Sequence, residues 1–349
     1  MLDNSTNNTP ICLALDAMGG DHAPHSVVMG AAEFIKNHSN VTFLFFGDAN
    51  QISPILNKFS KLKAKSEIIH TSDAVSSGEK PSVALRKGKN SSMRLAIEAV
   101  KSGSAHAVVS SGNTGALMIM SKLIFRSLDG IDRPAIGTII PTKTGSSILL
   151  DMGANSACDA TNLAQFAIMG EAFAKATLGL EEPSIGLLNI GSEELKGHEV
   201  IRVAHQTMNE DYKHINYYGY VEGDDIMKGT VDVIVTDGFT GNIALKSIEG
   251  TAKVITGFLK AGFKASIISR LGFLLSALSL KKVFKTIDPR NHNGAMFLGL
   301  NGICVKSHGN ADKTGFSNAL RITAKLVENK INDKIIEELK LNNNGTIEK

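Results

Sequence analysis

Short, nearly unbroken apolar runs alternate with amphipathic stretches along most of this chain. Residues 11–17, 41–46, 105–109, 135–140, 147–150, 185–189 and 231–236 read as strands buried on both faces, because polar residues do not alternate with the apolar ones. Residues 25–36, 92–101, 163–176 and 242–260 carry helical periodicity. Buried strands separated by helices predict an α/β fold with mostly parallel sheets and flanking helices. No Pro/Gly linker divides the chain. A second lobe is expected to come from its middle, with both terminal parts contributing to the first. Residues 1–10 are polar and read as a disordered N-terminal tail. Residues 341–349, with three consecutive asparagines, read as a flexible C-terminal one.

Composition narrows the class. A formal net charge of +3 excludes the strongly basic balance of a general nucleic-acid binder. Cys12, Cys158 and Cys304 lie far apart without a CxxC pair, which suggests neither a zinc site nor a disulfide framework and fits a reducing compartment. The N-terminal residues hold no apolar signal-peptide core, and no run is long enough to span a bilayer. A cytoplasmic enzyme is expected.

The chemistry concentrates where strands stop. Asp16, Gly20 and Asp21 follow the first run, and Ser111, Asn113 and Thr114 lie in Ser110-Ser111-Gly112-Asn113-Thr114-Gly115 after another. Asn155 follows Asp151-Met152-Gly153-Ala154, Asp237 and Asn242 bracket Gly238-Phe239-Thr240-Gly241, and Lys306 and His308 end the stretch after Gly302. In a parallel sheet these carboxyl ends share one edge, where a ligand crevice forms. Glycines with hydroxyl and amide side chains there suit an anion bound by helix N-termini. Ordinary caps and turns use the same residues, so Asn113 and Asp237 read equally as N-caps. Lys306 and His308 suit phosphate or a developing oxyanion, with structural hydrogen bonds the alternative for His308.

Gly-x-Gly-x-x-Gly, a Walker A run and Gly-x-Ser-x-Gly are all missing, which weighs against a dinucleotide site, a P-loop and an acyl-serine hydrolase. Cys158 has no histidine nearby in sequence and reads as a buried thiol rather than a nucleophile. Residues 255–280 stand apart: Leu259, Phe263, Ile267, Leu271, Leu274 and Leu278 can share one helical face flanked by Lys260, Lys264, Arg270, Lys281 and Lys282. That face fits a buried helix or subunit interface, or a protruding helical pair that meets an anionic membrane or an acidic carrier protein.

At these loops the chain closely resembles the bacterial phosphate acyltransferases of phospholipid synthesis. The matching segments are DAMGGD at 16–21, SSGNTGA at 110–116, DMGAN at 151–155, LLNIGSEELKG at 187–197, VTDGFTGNIALK at 235–246 and NGAMFLGLNGICVKSHG at 293–309. Their order and spacing carry the resemblance from residue 11 to about 330. It implies a fold like isocitrate and isopropylmalate dehydrogenases and phosphotransacetylases, with residues 11–340 a catalytic domain of two α/β lobes around a cleft. It also implies a homodimer that converts fatty acyl-acyl carrier protein and orthophosphate to acyl phosphate and free carrier protein. The product passes to a membrane glycerol-3-phosphate acyltransferase, and the enzyme touches the membrane peripherally. Asp16, Gly20, Asp21, Ser111, Asn113, Thr114, Asn155 and Asn242 fall on loops assigned to substrate binding, and Asp237, Lys306 and His308 on those assigned to catalysis.

Three positions depart from the family pattern: Ala157-Cys158-Asp159-Ala160, Asp224 and His292 replace residues that supply positive charge or aromatic bulk in many relatives. Because a thioester is already electrophilic, the expected chemistry is direct attack by positioned phosphate without an acyl-enzyme. The Ser111 loop with Lys306 or His308 is assigned to phosphate, and Asp237 to a phosphate proton. No cofactor is expected, and no metal is assigned. A dehydrogenase of the same fold class, a phosphotransacetylase using acyl-CoA and a non-catalytic carrier-binding protein are the rival readings.

Overall fold

Eleven strands carry the fold: β1 (Ile11–Asp16), β2 (Val41–Gly47), β3 (Ser66–His70), β4 (Ala107–Ser110), β5 (Ala135–Pro141), β6 (Ser146–Leu150), β7 (Ile185–Leu188), β8 (Tyr217–Val221), β9 (Val233–Val235), β10 (Ala295–Leu298) and β11 (Ile303–Lys306). They form one sheet in the order β3-β2-β1-β4-β11-β10-β5-β6-β9-β7-β8. The structure is a computed structural model that describes residues 10–286 and 288–345. The tail expected over 1–10 lies outside the described residues except for Pro10. Of the tail expected over 341–349, residues 341–345 continue the helix Ile331–Gly345 and the remainder lies outside.

The central strands change the sheet. β3, β2, β1, β4 and β11 are mutually parallel, as are β6, β9, β7 and β8. Between these groups β10 pairs antiparallel with both β11 and β5, and β5 pairs antiparallel with β6. The two parallel halves therefore run in opposite directions. The cause is local: residues 142–145 join β5 to β6, and Thr142 N–H donates to Gly145 O at 3.0 Å. So short a connection permits only an antiparallel neighbour, since a parallel crossover needs a dozen residues or more.

Two expectations need correction. The isocitrate/isopropylmalate dehydrogenase-like two-lobed arrangement gives way to one sheet, mostly parallel as expected but antiparallel at its centre, and hydrogen-bonded without a break through β10 and β5. The carboxyl ends of the strands do not share one edge either. Those of β1, β4 and β11 point to one end of the sheet, and those of β6, β7 and β9 to the other.

Helices cover both faces. His25–Phe34 packs on Lys313–Glu328, and Ala160–Leu178 is buried along most of its length between the sheet and other helices. Its all-round apolar character is what a fully buried helix requires. Ser92–Lys101 and Thr114–Phe125 cover the opposite face through a second apolar cluster around Val108, Met120 and Phe297.

The helix Gly238–Lys264 starts after β9 and packs Ala244, Leu245 and Ile248 against that half of the sheet. It then leaves the body and turns at residues 265–266 into Ile267–Thr286. The two form a hairpin closed by Phe263 and Phe273, whose ring centroids lie 5.1 Å apart. Phe258, Leu274 and Leu275 are 74%, 69% and 90% exposed, so this face is not core within the chain. Among the described residues, no helix is long and apolar enough to cross a membrane.

Candidate active site

Three loops at the same end of the sheet converge. The loop after β1 meets the loops after β4 and β11 backbone to backbone: Asp21 N–H donates to Gly309 O at 2.8 Å. Gly20, at φ +104°, has no room for a side chain, because a Cβ there would lie 2.8 Å from Ser111 Cβ and 2.9 Å from Gly309 O. The hollow they leave has a volume of about 690 Å³. Gly20, Asp21, Ser111, Asn113, Thr114 and Lys306 border it, together with residues 74–77.

Asp16 ends β1 beneath this cleft and is 1% exposed. Its Oδ1 accepts from Ser92 Oγ and its Oδ2 from Ser110 Oγ, each at 2.6 Å. Burial pushes the carboxyl above its ordinary range, while the Ser110 and Ser92 hydroxyls, the Met18 backbone and the Lys306 charge pull it back. Lys306 ends β11, and its Nζ donates to Ser111 O at 3.3 Å and to Ser307 O. Burial depresses this ammonium to about 8, with Asp16, Cys304 and Asp21 acting in the opposite direction.

Ser111 is the residue without a structural task. Its Oγ is buried beside the cleft and has no hydrogen-bond partner. Buried hydroxyls are normally paired, so an unpaired one on a residue that borders a hollow marks a candidate place for a ligand. Asn113 has the opposite character. Its Oδ1 caps Ala116 N–H at 3.0 Å, and its Nδ2 donates to Ser77 O and Glu79 O at 2.9 and 2.8 Å. It anchors residues 77–79 to the helix that starts at Thr114. The first-turn amides of Thr114 and Gly115 have no intrahelical acceptor and border the cleft.

His308 N–H donates to Asn293 Oδ1 at 2.9 Å, and Asn293 Nδ2 donates to Ser307 Oγ at 2.8 Å. The imidazole keeps an exposed face, yet the protein packed round it disfavours its charged form. Glu249 works against that effect, while Lys306, Lys246 and Lys253 add to it, and the balance lies below the usual histidine range.

Asn155, Asp237 and Asn242 gather at the other end of the sheet. Asp151 binds this group, accepting the backbone N–H groups of Ile136, Ala154 and Asn155 at 2.9, 3.0 and 2.7 Å. Asn155 Nδ2 donates to Asp151 Oδ2 and Pro134 O at 2.9 and 2.8 Å. Asp237 caps its helix, taking Thr240 N–H at 2.9 Å and Thr240 Oγ1 at 2.8 Å. Asn242 is exposed next to Gly153. Four strand spacings, about 19 Å, separate β9 from β11, so one chain does not bring Asp237 to Lys306 and His308.

Sequence reasoning missed Ser92 altogether; it picked out the loops that hold Ser110 and Asn293 but not their part, which is to position other groups. Among the described residues, Glu171, His214 and Glu338 lie close enough together to hold a metal ion. Lys175 Nζ already sits 3.0 and 2.6 Å from the two carboxylates, occupying that place.

This sheet and its cleft define an α/β protein of the phosphotransacetylase fold. A phosphotransacetylase from Streptococcus pyogenes superposes with a TM-score of 0.62 at 17% identity, covering 91% of this chain and 94% of that one. A 4-hydroxythreonine-4-phosphate dehydrogenase from Klebsiella pneumoniae gives 0.53 at 14%, covering 93% and 100%. These neighbours replace the isocitrate and isopropylmalate dehydrogenases as the guide to the fold. Residues 11–334 match the family described as fatty acid synthesis protein. Phosphate acyltransferases of Rhodospirillum centenum and Rhodospirillum rubrum are 56% and 53% identical over 328 and 329 residues. Both alignments span 94% of this chain, with 92% and 94% of the relatives. The chain belongs to the phosphate acyltransferase family.

Proposed function

We propose that the chain transfers a fatty acyl group from acyl carrier protein to orthophosphate, releasing acyl phosphate and the free carrier thiol for phospholipid synthesis. The observation that carries this reading is the unpartnered Ser111 hydroxyl beside the Lys306 ammonium in a cleft bordered by helix-start amides. Donors of that kind converge on a phosphate dianion. Family membership supplies the acyl transfer.

A phosphate oxygen attacks the thioester carbonyl, the C–O bond forms, and collapse of the tetrahedral oxyanion breaks the C–S bond. The thiolate leaves and takes a proton from solvent. Ser111, Lys306 and the first-turn amides hold phosphate, and Asp16 and Asp21 flank the lysine. His308, kept neutral at ordinary pH, suits a phosphate proton better than Asp237, whose carboxylate is committed to its helix cap. Asn155 and Asn242 support the second half rather than this cleft.

Residues 11–340 act as one catalytic unit in a cytoplasmic homodimer. The exposed hairpin gives that unit its peripheral contact with membrane or carrier protein. The acyl phosphate is consumed by a membrane glycerol-3-phosphate acyltransferase, as the family resemblance implies.

The test is purified protein with orthophosphate and acyl-acyl carrier protein, acyl-CoA or no donor. Acyl phosphate trapped by hydroxylamine should equal thiol released, with the carrier-bound donor preferred. Product from acyl-CoA alone would overturn the carrier assignment, and no product from either donor would overturn the reaction.

A further inference from the structure

Three apolar side chains border the cleft, Met18, Ala74 and Val75, and two of them belong to one short segment, residues 74–77. The groups that suit phosphate lie elsewhere: Ser111 and the first-turn amides of Thr114 and Gly115 follow β4, and Lys306 ends β11. Orthophosphate is small against a hollow of about 690 Å³. The remaining room falls to the acyl donor, whose hydrocarbon gains by meeting the apolar border.

Residues 74–79 are held mainly from outside. Just before them Asp73 O accepts Ser92 N–H at 2.9 Å, and just after them Pro81 packs on Gly115, where a Cβ would lie 2.6 Å from Pro81 Cγ. Between these ends Val75 is buried, and Glu79 N–H donates to Ser76 O at 3.2 Å within the segment. Among the described residues, the hydrogen bonds that tie 74–79 to the rest of the protein come from one side chain, Asn113. Its Nδ2 donates to Ser77 O at 2.9 Å and to Glu79 O at 2.8 Å, with Ser76 O further off at 3.4 Å. Its Oδ1 meanwhile caps Ala116 N–H at 3.0 Å. The cap alone does not call for asparagine, since serine caps a helix as well. A carboxamide adds two N–H donors to the one acceptor, and here both ends are used.

We propose that Asn113 is a positioning residue for the acyl donor: its carboxamide holds residues 74–79 against the start of the Thr114–Phe125 helix and so sets the apolar side of the cleft for the acyl thioester. Asn113 acts through that segment and not on phosphate. This proposal rests on the reading of the cleft as the site of acyl transfer.

The experiment compares wild type, Asn113→Ser and Asn113→Ala with palmitoyl-acyl carrier protein and orthophosphate. Serine keeps the cap and removes both donors, whereas alanine removes cap and donors together. The readouts are kcat, the KM for each substrate, and hydrogen exchange of the 76–84 peptide by mass spectrometry. Asn113→Ser should fold, exchange faster over 76–84, and show a KM for the acyl donor raised about ten-fold, with the orthophosphate KM within about two-fold of wild type. Asn113→Ala should show the same donor effect in a less stable protein. If it fails to fold, Asn113→Ser against wild type decides alone. Wild-type kinetics in Asn113→Ser would reduce Asn113 to a helix cap and overturn the proposal. So would an orthophosphate KM that rises as much as the donor KM, which would make Asn113 a phosphate ligand. Faster exchange over 76–84 in Asn113→Ser, when even wild type makes no acyl phosphate, would uphold the tie to the segment and overturn the acyl-transfer reading instead.

Discussion

Replacing Lys175 by methionine should unfold the protein more easily, and more so at pH 8 than at pH 5.5. Lys175 lies on the buried helix Ala160–Leu178, with Nζ 3.0 Å from Glu171 Oε1 and 2.6 Å from Glu338 Oε1. Glu171 is 3% exposed, and its Oε2 has no partner, so the ammonium is its main compensation. Breaking a buried pair on one side costs about 3–5 kcal/mol because a charge stays buried alone. Here the Lys175 side chain is 24% exposed, which admits water and places the loss near the bottom of that range, about 3 kcal/mol. Burial already raises the Glu171 carboxyl above its ordinary value, with the Glu338 charge adding to it and Lys175 opposing. Removing Lys175 raises it further. A carboxyl whose folded value exceeds its unfolded value of about 4.3 binds its proton first in the folded state, so acidification relieves the defect. Urea denaturation at pH 8 and pH 5.5, for Lys175→Met alone and with Glu171→Gln, measures this. The double variant should recover most of the loss. A change below about 0.5 kcal/mol at pH 8, or one that grows on acidification, would refute the argument.

Lys306→Met should raise the KM for orthophosphate by about 10- to 100-fold, the equivalent of one charge-assisted hydrogen bond, in a protein that still folds. An unaltered phosphate dependence in steady-state kinetics would remove Lys306 from the cleft's chemistry. Cys158→Ser should keep making acyl phosphate, since burial and the Asp151 and Asp237 charges push that thiol up to about 12. A kinetically competent acyl adduct on Cys158 in a rapid quench would defeat direct attack by phosphate. Leu271→Gln with Leu274→Gln should weaken liposome sedimentation or carrier-dependent turnover at least about ten-fold, because these leucines are 56% and 69% exposed and each can still bury about 1.5–3 kcal/mol. Lys260 and Lys264 variants should matter chiefly at low salt. A lowered melting temperature with normal binding would return that face to a packing role.

Continuous apolar runs made β1, β2, β4, β5, β6, β7 and β9 readable, because strands buried on both faces tolerate few polar residues. β3 escaped notice as the half-exposed edge strand Ser66–His70, and β8 because Gly219 interrupts a tyrosine-rich, partly exposed run. The reversal of the sheet was within reach. Residues 142–145 leave no length for a crossover, and weighing that gap would have separated the Asp237 loop from the Lys306 loop. The polar loops themselves were legible as strand-end clusters. Ser92 was not, since nothing near it in sequence points to Asp16, 76 positions away.

The helix Gly238–Lys264 is built like a cantilever. Its fixed root runs from the first turn, where Gly241 lies so tightly against Asp151 O that no side chain fits, to Ile248 on the sheet. From Ile248 to Lys264 is about 24 Å of helix beyond that support. A load on the hairpin tip therefore bends the helix most at its root, next to the last residue that packs on the sheet.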